Sequence, residues 1–103
     1  MAEKNFFELM TEETPSINKA FFDMVGALEK DAGLDAKTFQ LVYIGIRAAG
    51  GEAGSVAAHT VYAKKAGATR EEVRGAVLIT MMTSGVAGIA SCLAAALNAY
   101  DNA

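Results

Sequence analysis

The chain has 103 residues, 52% of them hydrophobic, with nine lysines and arginines against twelve aspartates and glutamates. That length allows one domain, residues 1–103, whose core buries roughly two-thirds of the unfolded surface. A net charge of −3 with scattered basic residues excludes a nucleic-acid backbone as the expected partner. Cys92 is alone, which excludes an intrachain disulfide, a CxxC redox pair and a thiolate zinc site.

The opening, Met1-Ala2-Glu3-Lys4-Asn5, lacks a basic region followed by a continuous apolar run, so no signal peptide is expected. A reducing, cytoplasmic setting is consistent with the single cysteine. Phe6, Leu9 and Met10 give a short amphipathic start, and Thr14-Pro15 marks a boundary with Thr14 as a candidate cap. Ile17, Phe21, Met24, Val25 and Leu28 then recur at helical steps to about Asp31, with Lys19, Asp23, Glu29 and Lys30 on the other face.

Asp35 is the expected cap of the next helix, which reaches about Ala49. Phe39, Val42, Tyr43 and Ile46 form one stripe and Leu41 and Ile44 widen it, so this helix reads as buried on most sides. Gly50-Gly51 breaks it. A third helix runs from Glu52, placed in its first turn, to Ala66, and Gly67 ends it. Thr69-Arg70-Glu71-Glu72 is a capping box that opens a helix carrying Val73, Ala76, Val77, Thr80 and Met81.

Gly75 to Tyr100 holds no charged residue, a run long enough to span a bilayer. Thr80, Thr83, Ser84, Ser91 and Asn98 interrupt it, and Ser84-Gly85 breaks it near the middle, so two buried helices fit better than a membrane span. In the last of these, from about Val86 to Asn98, Ala87, Ser91, Ala95 and Ala99 form a small-residue stripe suited to close helix packing. No alternating strand pattern and no internal repeat occurs, so the fold class is all-α, a small bundle of about five to six helices.

The chemistry concentrates around His59, the only histidine. Offsets of four and seven put Ser55 and Glu52 within roughly 40° of it on one helical face, a cluster of carboxylate, hydroxyl and imidazole. Tyr43 and Arg47 on the preceding helix add a hydrogen-bond donor and a cation suited to a carboxylate ligand. Each residue also has a structural reading. Glu52 can serve the helix dipole, Ser55 packing, His59 a hydrogen-bonded core, and Arg47 can pair with Glu52 as a strut. One histidine near one carboxylate does not complete a metal site, and no metal or cofactor is expected.

From Asp35 to Asn98 the order of elements resembles the carboxymuconolactone decarboxylase superfamily, which includes the alkylhydroperoxidase D-like proteins. The most specific portions are Ala57-Ala58-His59-Thr60 and Gly67-Ala68-Thr69-Arg70-Glu71-Glu72-Val73. The resemblance implies an all-helical fold assembled as a homotrimer or homohexamer, and a mean hydropathy of +0.24 already calls for surface to be covered by self-association. The redox branch of that family carries a glutamate, a CxxC pair and a histidine four residues later. This chain supplies Gln40, Glu52, Ser55 and His59 at those places, so only the histidine matches and dithiol peroxidase chemistry is not expected. What remains implied is a non-redox enzyme on a small lactone or organic acid, with Glu52 and His59 as acid and base and Ser55, Arg47, Tyr43 and Gln40 around the substrate. The alternative is a catalytically silent family member that binds a small ligand or serves as an oligomeric scaffold.

Overall fold

The computed structural model describes residues 3–103, so Met1 and Ala2 of the N-terminal reading lie outside it. Among the described residues there are seven helices and no strand, and they divide into two compact units, one ending at Leu34 and the other spanning Asp35–Ala103.

The first unit holds α1 (Phe6–Glu13) and α2 (Pro15–Asp31). Asn5 starts α1 with a capping box absent from the sequence reading. Its side chain accepts the Glu8 N–H at 2.9 Å, and Glu8 accepts the Asn5 N–H at 3.3 Å. Thr14 does not cap α2 as expected, because its hydroxyl turns back to donate to the Met10 carbonyl at 3.2 Å. Pro15 does occupy the first turn, where its missing N–H has no partner to lose. Phe7 of α1 meets Phe22 of α2 with ring centroids 5.9 Å apart. Neither helix has a buried residue, and the stripe of Ile17, Phe21, Met24 and Leu28 is exposed.

The second unit contains α3 (Ala36–Ala49), α4 (Ala53–Lys65), α5 (Arg70–Leu78), α6 (Thr80–Ser84) and α7 (Ala87–Asn102). Two expected caps are in place. Asp35 accepts the Thr38 N–H at 2.8 Å, and Thr69 and Glu72 close their box at 3.1 and 2.9 Å. The core is a set of mostly small and branched side chains, including Ile44, Ala48, Val56, Ala63, Val73, Val77, Cys92 and Ala96. The most extensive packing joins α4 to α7 and α3 to α4.

Three local expectations are corrected. The small stripe of α7 that packs is Gly88, Cys92 and Ala96, one residue along from the one read in the sequence, and Ala87 and Ser91 are exposed. Gly88 shows why: a Cβ there would lie 2.4 Å from the Ala48 carbonyl oxygen, so only glycine lets α7 touch the backbone of α3. Next, α3 is buried along Ile44 and Ala48 only, while Val42 and Ile46 of its expected apolar surround are exposed. Finally, the helix begun at Thr69 does not run on unbroken past Leu78, since Ile79 separates α5 from α6. The Thr80 hydroxyl donates to the Val77 carbonyl at 2.7 Å, competing locally for a helix acceptor.

The uncharged run is therefore split at Gly85 between α6 and α7, and among the described residues no helix is long and apolar enough to cross a membrane. The end of α7 is pinned to α4 and α5. Tyr100 donates its hydroxyl to the Ala68 carbonyl at 2.8 Å, and Lys64 donates to the Tyr100 carbonyl at 2.8 Å. Arg70 grips Asp101 with two bonds, at 2.8 and 3.1 Å.

Candidate functional site

The turn between α3 and α4 sets the site. Gly51 has φ of +73°, the left-handed conformation that ends a helix, and the Glu52 N–H bonds back to the Arg47 carbonyl at 3.0 Å while the Gly51 N–H reaches Ala48 at 3.0 Å. This is the paired closure of a Schellman motif, and it reverses the chain within three residues. The two helices then run back along each other, so that positions spaced three and four apart on α3 meet positions spaced alike on α4. Glu52 itself stands at the N-cap of α4 rather than within its first turn, and its side chain makes no cap bond.

All six residues singled out in the sequence fall on this seam. Near its far end, the His59 Nδ1 lies 2.8 Å from the Gln40 Oε1. With the amide oxygen as acceptor, Nδ1 is the nitrogen that donates its proton to Gln40. The Tyr43 ring stacks on the imidazole at 3.6 Å between centroids and 19° between planes. Tyr62 meets the imidazole edge-on, at 5.2 Å and 88°. Tyr62 was not anticipated, although its place three residues after His59 puts it on the same helical face.

Nearer the turn, Arg47 donates to the Ser55 hydroxyl at 3.3 Å. Its guanidinium stands 3.8 Å from the Glu52 carboxylate, an ion pair beyond hydrogen-bonding distance with both side chains substantially exposed. The Arg47 Nε is buried without a hydrogen-bond partner. The strut that Arg47 could form with Glu52 is thus a loose contact, and the firmer tie of Arg47 is to Ser55. Gln40, Tyr43, Arg47, Ser55 and His59 are half-buried, and Glu52 is exposed.

Cys92 is sealed in the core. Burial pushes its thiol above the usual range, and the Glu52 carboxylate adds to the same effect, so the sulfur is held as an uncharged thiol. Among the described residues, no three histidine, cysteine or acidic side chains gather closely enough to hold a metal ion.

A groove of about 570 Å³ lies on a different side of α3, between Leu41, Val42 and Ile46 of that helix and Ala76 of α5, the intervening Ile79 and Thr80 of α6. None of the six residues of the seam lines it.

The model of the carboxymuconolactone decarboxylase family matches residues 15–98, extending the resemblance back through α2. No curated protein and no solved structure matches the chain. The match takes in most of the sequence, from the first residue of α2 to within four residues of the end of α7, and the chain belongs to the carboxymuconolactone decarboxylase family.

Proposed function

We propose that the protein is a non-redox, cytoplasmic, homo-oligomeric member of its family, assembled as a trimer or hexamer, that acts on a small organic acid or lactone at the α3–α4 seam. The observation that carries this reading is the hydrogen bond between His59 and Gln40, which holds the imidazole in one orientation on the seam. A half-buried arginine, bonded to a neutral hydroxyl and only loosely to a carboxylate, supplies a cation that a substrate carboxylate can take over.

On this reading His59 takes a proton from the carbon next to a carboxylate or lactone carbonyl, and the enolate, its charge offset by Arg47, expels the ring oxygen from the neighbouring carbon as a carboxylate to open the lactone. In decarboxylation the C–C bonding pair stays on the enolate as CO2 departs, and Glu52 or His59 returns a proton to that carbon. Ser55 and Tyr43 help to hold the substrate. The family's dithiol peroxide reduction has no part in it, since that cycle needs two cysteines and this chain has one, buried.

The test is a screen of small lactones and organic acids for ring opening or decarboxylation. His59→Ala and Glu52→Gln should abolish turnover while leaving the assembly intact. Equal activity in both variants removes the assignment.

A second reading rests on a specific observation: the polar groups of the seam engage one another, and the groove lies elsewhere on α3. The protein is then a catalytically silent member that binds a small ligand or serves as a scaffold. It is distinguished by a screen that finds no substrate and by loss of stability or assembly in His59→Ala.

A further inference from the structure

The uncharged run from Gly75 onward was expected to be interior, yet every residue from Met81 to Ala87 is exposed. Met82 is 88% exposed and Val86 68%. Beside this segment lies the groove between α3 and α5–α6, whose walls include Ile46, 67% exposed, and Ile79, 62% exposed. One region of the second unit therefore presents projecting aliphatic side chains and an apolar hollow together. A monomer rarely leaves so much contiguous apolar surface in water.

We propose that this groove and the adjoining 79–86 segment form a two-fold contact with a second copy of the same chain. The inference rests on the self-assembly contained in the reading above, names its surface, and of the two assemblies selects the hexamer, since a simple trimer has no two-fold axis. Three observations support a second copy as the occupant. In a two-fold contact the same patch meets itself, so a surface bearing both projections and a hollow is complementary to its own copy. Among the described residues Glu72 is the only ionisable one lining the groove, and its carboxylate is already paired with Lys37 at 3.0 Å, so two identical faces meet without unbalanced charge. The exposed parts of Val42, Ile46, Ile79, Met81, Met82 and Val86 offer on the order of 500 Å² of apolar surface, a large share of the roughly 800 Å² per partner in a standard interface.

The experiment is sedimentation velocity on the full chain over a wide range of concentration, with Ile46→Glu, Ile79→Glu and Met82→Glu alongside and helicity followed by circular dichroism. The wild-type chain should sediment as an assembly, and each variant should dissociate at protein concentrations at least about tenfold higher than wild type while remaining helical. Met82 is nearly fully exposed, so its variant does not disturb the fold of one copy and keeps the comparison decisive if the isoleucine variants misfold. A monomeric wild type overturns both the contact and the self-assembly it rests on. An assembled wild type that none of the three variants weakens overturns this contact alone. A hydrophobic dye that binds the assembled wild type and is displaced by Ile46→Glu shows a groove open to small apolar ligands, and also overturns it.

Discussion

Gln40 and His59 lie nineteen positions apart in the sequence, yet the amide oxygen of one and the Nδ1 of the other are 2.8 Å apart, joining α3 to α4 at the point where the chain's only imidazole stands. An amide cannot ionise, so it fixes the ring's orientation without adding a negative charge. Gln40→Leu should therefore shift the imidazole away from the Nδ1–H form, visible in nitrogen-15 spectra. It should also lower stability by about 1 kcal/mol in urea unfolding, as the seam loses a part-buried hydrogen bond. An unchanged nitrogen spectrum would mean that the bond does not set the tautomer.

Arg47 and Glu52 are expected to behave unequally. The 3.8 Å contact between partly exposed groups contributes little, so Glu52→Gln should change unfolding by less than about 0.5 kcal/mol. Arg47→Met removes the cation and its bond to Ser55, and should weaken binding of small carboxylates at least about tenfold in calorimetry. Equal carboxylate affinity in Arg47→Met and wild type would remove Arg47 from the site.

Two glycines should resist alanine for different reasons. Gly51→Ala forces a side chain into the left-handed region and should destabilise by about 1 kcal/mol or more. At Gly88 the added methyl meets a backbone oxygen that cannot swing aside, so α7 must move away from α3, and the loss should reach about 2–3 kcal/mol. Urea midpoints order the two, and a tolerated Gly88→Ala would contradict the close approach of these helices.

Acid should weaken the fold through three carboxylates. The Arg70 guanidinium holds Asp101 below its ordinary value of 3.8. The Thr38 backbone N–H does the same for Asp35, and the Thr69 backbone N–H, aided by Lys37, for Glu72. Because the folded values are lowered, their contribution is fully present above the ordinary values of 3.8 and 4.5 and fades as pH falls through the folded ones. Thermal melts followed downward from pH 5 should show this decline, and Asp101→Asn should flatten it.

Cys92 should be silent toward thiol reagents in the native protein. Its modification by a disulfide reagent should proceed at the rate of unfolding and accelerate in step with urea. Rapid labelling without denaturant would show that the thiol is reachable, and would reopen the question of redox chemistry.

The legible parts of the sequence were those governed by local rules. The capping box at Thr69 and Glu72, the cap at Asp35 and the turn at Gly50-Gly51 each depend on a few neighbouring residues, and each is found in place. The helical spacing of Glu52, Ser55 and His59 is equally local, and these residues do share the seam with Gln40, Tyr43 and Arg47. What escaped depended on a second element. Gly88 is one small residue among many in its helix until Ala48 is brought against it, and Ile46 reads as core until the neighbouring helix leaves it uncovered. Hydropathy alone does not separate a residue buried in its own chain from one awaiting a partner.

The reversal after α3 has a bearing on how this protein tolerates changes in length. The carbonyl of Arg47 is held by the amide of Glu52, five positions on, so the residue that supplies the cation is also the anchor of the bend. A single residue inserted between Gly51 and Ala53 would rotate α4 by roughly 100° about its own axis, carrying Ser55 from Arg47, and His59 from Gln40 and Tyr43, in one step. Loops usually accommodate such insertions, but here the bend acts as the register mark for every pairing along the two helices.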